Sequence, residues 1–125
     1  TWASYSTTTV SRFAPASTQP QTNALEANLT LVRNALELYR TQHNQAWPTV
    51  EAFASQLTLP TSLGGVPASS LDEKLPFGPY IHMVPNNPFT GTNTVGSGAI
   101  GTSAWYYNPI TGEFRANDSA EHHRL

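Results

Sequence analysis

The sequence contains no cysteine, so it can form neither a disulfide framework nor a thiolate metal site, and its redox compartment stays open. Charged residues make up only 11% of its 125 residues, against about a quarter in typical soluble domains. Lys74 is the single lysine and the net charge is −2, so no basic patch of the kind that binds nucleic acid is expected. Together these absences predict a polar but weakly charged surface, which suits an extracellular protein.

The chain also lacks the long apolar run, about 18 residues, that a membrane-spanning helix requires. It has no charged-then-apolar start of a signal peptide, so we expect a mature chain whose leader has been removed. No Gly-x-Ser-x-Gly turn, phosphate-binding glycine loop or pair of carboxylates on one element points to catalysis. The histidines lack zinc-ligand spacing, and Glu113, Asp118 and Glu121 are too sparse for a calcium loop. We therefore predict no enzymatic activity, no metal and no cofactor.

The strongest positive signal is an amphipathic pattern from Asn23 to His43. At about 100° per residue, five apolar residues fall within a narrow arc: Leu25, Leu29, Val32, Leu36 and Tyr39. Three more widen that arc on one side: Leu31, Ala35 and Leu38. Asn23 followed by Glu26 is typical of a capping box that starts a helix. We predict a helix about 30 Å long whose apolar stripe is covered by the rest of the chain.

Residues 1–22, before this helix, are rich in Ser and Thr, include Pro15 and Pro20, and contain no acidic residue. The β-branched and aromatic residues between Trp2 and Phe13 favour an extended strand, which is unstable unless it joins a sheet edge. One interpretation is a disordered tail, and the other is an arm that docks elsewhere on the protein or on another subunit. The aromatic content favours the arm, because true tails are poor in such residues. The two prolines are expected to separate this arm from the helix.

After the helix, Thr49 can cap a second, shorter helix over residues 50–57, and a long loop rich in proline and glycine follows over residues 58–79. Three short strands are predicted in the last third: Asn93–Val95, Trp105–Tyr107 and Glu113–Arg115. The predicted fold class is α+β, a long N-terminal amphipathic helix packed on a small antiparallel sheet of about three strands. The predicted domains are an extended arm over residues 1–22 and a globular domain over residues 23–125.

Four short features then occur in a fixed order along the chain. They are Leu38-Tyr39, Trp47-Pro48, Gly78-Pro79-Tyr80 with Pro85 and Asn87-Pro88, and Trp105-Tyr106-Tyr107 with Thr111-Gly112. In this order and spacing, residues 23–116 resemble the type IV pilin and pseudopilin family, and in particular the major pseudopilin of type II secretion. The resemblance implies a pilin-like domain in a structural subunit that forms filaments. Members of that family polymerise through a hydrophobic N-terminal helix, whereas this chain has a polar arm in its place.

The arm therefore becomes the candidate for contact between copies. A small sheet has an open edge, and an extended segment with aromatic and β-branched side chains is suited to fill it. Four residues are the predicted subunit-interface residues: Trp2, Tyr5, Val10 and Phe13. We expect them to be buried against neighbouring subunits and not within their own chain.

The function expected from these features is that of a structural subunit of an extracellular or cell-surface helical filament, on the periplasmic face if it is a secretion pseudopilin. Its partners are then further copies of itself. The alternative is a monomeric secreted binding module that uses exposed aromatic residues of the C-terminal hairpin for glycan or protein partners: Trp105, Tyr106 and Tyr107.

Attached glycans are a further possibility, because two Asn-x-Ser/Thr sequences occur. Asn117 lies just past the hairpin in a polar segment, and Asn28 lies within the apolar arc of the helix. A glycan on Asn28 requires that part of the helix to project beyond the core.

Overall fold

A computed structural model of the chain describes the backbone of residues 13–125 and the side chains from residue 19 onward. The elements follow one another as α1 (Phe13–Gln42), α2 (Phe53–Thr58), β1 (Val95–Gly96), β2 (Trp105–Tyr107), β3 (Phe114–Ala116) and α3 (Ala120–His123). The predicted α+β class is confirmed: one long helix lies beside a small sheet of three strands. Within the described residues, no helix combines the length and apolar character needed to cross a membrane.

Helix α1 begins at Phe13, so the predicted start at Asn23 is wrong, and so is the extended conformation predicted for residues 13–22. Pro15 lies in the first turn, where the backbone N–H groups have no partner within the helix, and it costs no hydrogen bond there. Pro20 lies inside the helix and does not end it. Asn23 accepts a hydrogen bond from Gln19 Nε2 (2.9 Å) one turn earlier, so it is an interior helix residue and not a cap.

The other end of α1 is close to the prediction. Asn44 and Gln45 have positive φ angles of 57° and 66°, a left-handed conformation that ends a helix. The N–H of Gln45 donates to the carbonyl oxygen of Arg40 (2.8 Å) and so pairs one of the last helical carbonyls.

The predicted core stripe of α1 is confirmed, because all five of its side chains are buried: Leu25, Leu29, Val32, Leu36 and Tyr39. Burying each contributes about 1.5–3 kcal/mol to folding. Of the three residues predicted to widen the stripe, Ala35 is buried, but Leu31 and Leu38 are each 49% exposed. These two leucines lie seven positions apart on the flank of the helix that the sheet does not reach.

The sheet has the order β1-β2-β3 and is mixed. Strands β2 and β3 form the predicted antiparallel hairpin, with Tyr107 opposite Phe114. Strand β1 runs parallel to β2, with Val95 opposite Trp105, so the prediction of a wholly antiparallel sheet is wrong. The reason is the path of residues 97–104, which lead the chain back to the start of β2 and do not form a hairpin. A hydrogen bond from Gly101 N–H to Asn117 O (2.7 Å) fixes this loop.

The core lies between α1, α2 and the inner face of the sheet. Phe53 of α2 stacks on Phe114 and tilts against Tyr107, with ring centroids 5.5 and 4.6 Å apart. The two large polar aromatics of β2 keep partners inside the core: Tyr107 Oη donates to Pro48 O (2.7 Å) and Trp105 Nε1 to Pro85 O (2.8 Å). Burial raises the pKa of Tyr107 above its ordinary value. These bonds anchor the long loops to the sheet.

A buried polar contact joins the end of α1 to the loop after α2. His43 is 2% exposed and its ring stacks on Tyr39 with the centroids 3.8 Å apart. Because a carbonyl oxygen can only accept, Nδ1–H of His43 donates to Tyr39 O (2.7 Å), and Nε2 then accepts from the hydroxyl of Thr61 (2.8 Å). Thr61 is itself fully buried and pairs by two backbone bonds with Phe77.

Candidate functional site

Three of the predicted subunit-interface residues, Trp2, Tyr5 and Val10, lie outside the described residues. Phe13 is the first residue of α1, and its side chain lies outside the described part as well. The prediction that these four residues contact a neighbouring copy therefore stays a prediction. What the structure describes is the place where the N-terminal segment joins the domain.

At that place α1 extends past the core. Among the described side chains of α1, Leu25 is the first that is buried, and none from Gln19 to Ala24 is buried. The part from Phe13 to Ala24 is about 18 Å long at about 1.5 Å per residue. A helix of this length is marginal in water without packing. Residues 19–24 therefore bury no side chain against the domain and contact it through polar groups such as Gln21 Nε2, which donates to Pro88 O (3.3 Å).

An apolar flank continues from this projecting part along α1. It consists of exposed residues at near-heptad spacing: Ala24, Ala27, Leu31 and Leu38. We call it the helix flank. Glu37 and Arg40, which form an exposed ion pair at 2.8 Å, lie on the other side of the helix axis.

The hairpin aromatics are placed differently from what a binding surface requires. Trp105 and Tyr107 are fully buried and belong to the core, so the interpretation of these two as exposed contact residues is wrong. Tyr106 is half-buried on the outer face, with its ring edge-on to His123 at a centroid distance of 5.1 Å. Strand alternation puts the first and third residue of β2 inward and leaves Tyr106 outward.

The two predicted glycosylation sites also differ. Asn117 is fully buried, and its Nδ2 donates to Ala99 O (3.0 Å) and Ser103 Oγ (3.2 Å). A glycan on this nitrogen would replace one of its two hydrogens and so remove at least one of these bonds, and the buried site leaves no room for a sugar, so the geometry argues against Asn117 as an acceptor in the folded domain. Asn28 is half-exposed, and its Nδ2 donates to Asn86 O (3.1 Å) at the surface. Glycosylation of Asn28 stays a prediction.

A cluster that sequence reasoning missed lies beside Asn117. The carboxylate of Asp118 accepts from Asn87 Nδ2 (3.0 Å) and from His122 Nδ1 (2.5 Å). The side chains of Asp118 and His122 are only 10% and 17% exposed. Burial alone would raise the pKa of Asp118, but the hydrogen bonds from Asn87 and His122 and the charge of His122 outweigh it, so the pKa is lowered. Asp118 is therefore an ionised, nearly buried carboxylate.

This carboxylate lies at one wall of an open cleft of about 410 Å³, which we call the hydroxyl cleft. Most of its lining residues carry a hydroxyl group: the lining consists of Phe89, Thr90, Thr92, Thr94, Gly101, Thr102, Ser103, Ala104 and Asp118. Hydrogen bonds within the protein hold these hydroxyls, as between Thr90 and Thr92 (3.1 Å) and from Thr102 to Ala99 O (2.5 Å). The cleft is a polar, pre-formed concavity.

A second cleft, of about 440 Å³, lies between α1 and β3 and is lined in part by Arg33, Trp47 and Arg115. Arg33 donates to Phe114 O (3.0 Å) and to Leu125 O (2.8 Å), and so ties the helix to the edge of the sheet. Burial, and secondarily the charge of Arg115, lowers the pKa of Arg33. Arg40 covers the Trp47 ring at 5.0 Å. These contacts stabilise the fold. They also cover part of the Trp47 ring, which reduces the ring area that a ligand could contact.

Among the described residues, no group of three or more His, Asp or Glu side chains could hold a metal ion. The sequence carries only weak signals for the Asp118 cluster, because Asn87-Pro88 is typical of a turn and the residues around His122-His123 show no periodic pattern. No protein-family model, curated protein or solved structure matches this chain.

Proposed function

We propose that this chain is the structural subunit of an extracellular or cell-surface helical filament of the pilin or pseudopilin kind, without enzymatic activity. The observation that carries the proposal is the projection of α1. None of the side chains of residues 19–24 is buried in its own domain, and Leu25 is the first buried residue among the described side chains of α1. Such a segment is stabilised if neighbouring copies cover it.

The sequence resemblance over residues 23–116 supports the same function, since it implies a long helix beside a small sheet. The helix flank adds a second surface. Leu31 and Leu38, each 49% exposed, continue the line of the projecting segment and offer apolar area for a neighbouring copy. The proposed partners are therefore copies of this chain.

In this proposal the N-terminal segment makes the contact between copies, with Trp2, Tyr5, Val10 and Phe13 as its anchors. In the proposed filament, the surface that receives this segment belongs to the next subunit. A contact between two different surfaces of the same chain propagates as a helix and does not close into a dimer.

Electron microscopy and sedimentation of the full chain test this proposal. Deleting residues 1–12, which leaves α1 intact, should give a domain with unchanged circular dichroism and unfolding midpoint that no longer forms fibres. Substituting Trp2, Tyr5 and Val10 together by Ser should have the same effect, whereas the matched triple change of Thr7, Thr8 and Thr9 to Ser should preserve the fibres. A truncated domain that still makes filaments contradicts the role of the N-terminal segment.

The alternative, a monomeric secreted binding module, would need a full chain that stays monomeric at high concentration. Of the hairpin aromatics on which it first rested, only Tyr106 has an exposed fraction available for a partner. Tyr106→Ala should abolish that binding without unfolding the domain. Unchanged binding in this variant would remove the hairpin from consideration.

A further inference from the structure

We propose that the hydroxyl cleft is a binding site for a neutral saccharide, one or two sugar rings in size. The lining of the site includes none of the hairpin aromatics, and the proposal does not depend on whether the chain forms filaments. Its central element is Asp118, a carboxylate with only 10% of its side chain exposed, at the wall of a cleft open to solvent.

The carboxylate is oriented before any ligand arrives. Asn87 Nδ2 donates to Oδ1 of Asp118 (3.0 Å) and His122 Nδ1 donates to Oδ2 (2.5 Å). A carboxylate has about four acceptor positions, and Asn87, His122 and the backbone of Asp118 occupy three of them, so capacity for a further donor remains. A hydroxyl group of a sugar ring is such a donor, and bonds to an ionised acceptor are stronger than neutral ones.

Asn87 organises three parts of the cleft at once. It is fully buried, its Nδ2 also donates to Ala104 O (2.9 Å), and its Oδ1 accepts from the N–H of Phe89 (2.8 Å). One side chain therefore sets the positions of Asp118, Ala104 and Phe89. Pre-organisation of this kind lowers the entropy cost of binding.

The lining matches the two faces of a sugar. Phe89 is half-buried, and its ring packs against His122 at a centroid distance of 4.2 Å, which fixes an aromatic surface for the C–H face of a ring. Thr92 and Thr94 are exposed and supply hydroxyl groups that can both donate and accept.

Charge and size narrow the ligand class. Asp118 is the single charged residue among those that line the cleft, and no basic side chain lines it to pair with an anionic ligand. The volume of about 410 Å³ is at the lower end of the range for small-molecule sites, about 300–1,000 Å³. A neutral mono- or disaccharide fits both limits.

Saturation-transfer NMR on the full chain tests the proposal and works on monomers and filaments alike. The probes are methyl α-D-mannopyranoside, methyl β-D-galactopyranoside and methyl β-D-glucopyranoside, with N-acetylneuraminic acid as the anionic comparison. At least one of the neutral glycosides should bind with a dissociation constant on the order of 1 mM, the affinity expected for about a dozen non-hydrogen atoms. The anionic sugar should bind more weakly.

Two variants assign that binding to the cleft. Asp118→Asn should weaken it by about tenfold or more, and Thr92→Val, on the exposed wall, by about three- to tenfold. Thr30→Val, an exposed threonine on α1, is the matched control and should bind as the parent chain does. Circular dichroism melts check that each variant is folded.

Three results would overturn the proposal. The first is that none of the neutral glycosides binds even at a ligand concentration of about ten times the expected dissociation constant. The second is binding that neither Asp118→Asn nor Thr92→Val changes. The third is a titration in which CaCl₂ perturbs the chain through Asp118 while no glycoside does, because the cleft would then be a cation site.

Discussion

His43 is a residue at which a single polar contact secures two parts of the fold. Its ring joins Tyr39 O at the end of α1 to the hydroxyl of Thr61 in the following loop, and His43 and Thr61 are both almost completely buried. Removing one member of such a pair leaves a buried polar atom of the other short of a hydrogen bond, which costs more than the bond itself contributes.

His43→Leu should therefore lower the free energy of unfolding by about 2–3 kcal/mol, as measured by urea unfolding. Thr61→Val in the same chain should recover part of this loss, because the unpaired hydroxyl is then removed as well. If the effects of the two substitutions simply add, the hydrogen bond between Thr61 and His43 is not the source of the loss.

Gly112 is a residue at which the backbone and a neighbouring ring both exclude a side chain. It has φ +79°, and a Cβ built on it would lie 2.4 Å from the Trp47 ring. Gly91 has a similar φ of +71° but nothing within 4 Å of such a Cβ.

Gly91→Ala should therefore cost about 1 kcal/mol of stability from backbone strain alone, and Gly112→Ala about 3 kcal/mol or more, in matched thermal melts. Only the second substitution should change Trp fluorescence, because Trp47 has to move. Equal losses in the two variants would contradict the ring contact.

Asp118 links the hydroxyl cleft to the dependence of stability on pH. Its folded-state pKa is lowered by its partners Asn87 and His122, so the stability it contributes is present above the ordinary carboxyl pKa of 3.8. That contribution is lost as the pH falls through the lower, folded-state pKa.

The free energy of unfolding should consequently fall less steeply on acidification below about pH 5 in Asp118→Asn than in the parent chain. Urea unfolding at a series of pH values measures this. Glu121→Gln, at an exposed position on α3, is the control and should follow the parent curve. Parallel curves for the parent and Asp118→Asn would show that Asp118 is not the titrating group.

At the scale of elements, α1 consists of two parts with different stability. From Leu25 onward the helix is held by the core, whereas residues 19–24 have no buried side chain. Pro20 lies in the second part and removes one helical hydrogen bond there.

Pro20→Ala should therefore increase hydrogen-exchange protection around Pro20 while leaving the unfolding midpoint of the domain nearly unchanged, because this part opens separately from the core. Pro76→Ala, at an exposed loop position, should alter neither quantity. If Pro20→Ala instead raised the unfolding free energy by about 3 kcal/mol, the gain expected when a proline is removed from the interior of a stable helix, the two parts would unfold together.

At the scale of the whole molecule, the helix flank and the N-terminal segment are the two surfaces that the proposed filament requires. Replacing Leu31 and Leu38 by Ser should lower the unfolding free energy by about 1–3 kcal/mol, because each side chain is about half-buried and Ser is a weaker helix former than Leu, and the domain should stay folded. It should raise the concentration at which the full chain assembles, as measured by sedimentation. Ile110→Ser, at an 85% exposed turn position away from the flank, is the control and should not change assembly.

Local pattern was sufficient to predict several parts of this fold. The stripe of α1 from Leu25 to Tyr39 and the hairpin of β2 and β3 were predicted at nearly their observed positions. Both depend on periodicity over a few residues, which the sequence carries directly. The same alternation puts Trp105 and Tyr107 on one face and Tyr106 on the other, but which face is buried was decided by packing, as between Tyr107 and Phe53.

Other parts depend on contacts between distant segments. The parallel pairing of β1 is set by the return of residues 97–104, and the Asp118 cluster joins Asn87 to a residue 31 positions away. No local period encodes the path of such a loop. Asn117 is an example. The sequence around it predicts a glycosylation site at the surface, whereas packing against residues 99–103 buries its side chain. Periodic elements follow from short-range sterics and hydrophobic spacing, but the hydroxyl cleft exists only because tertiary packing brings its walls together.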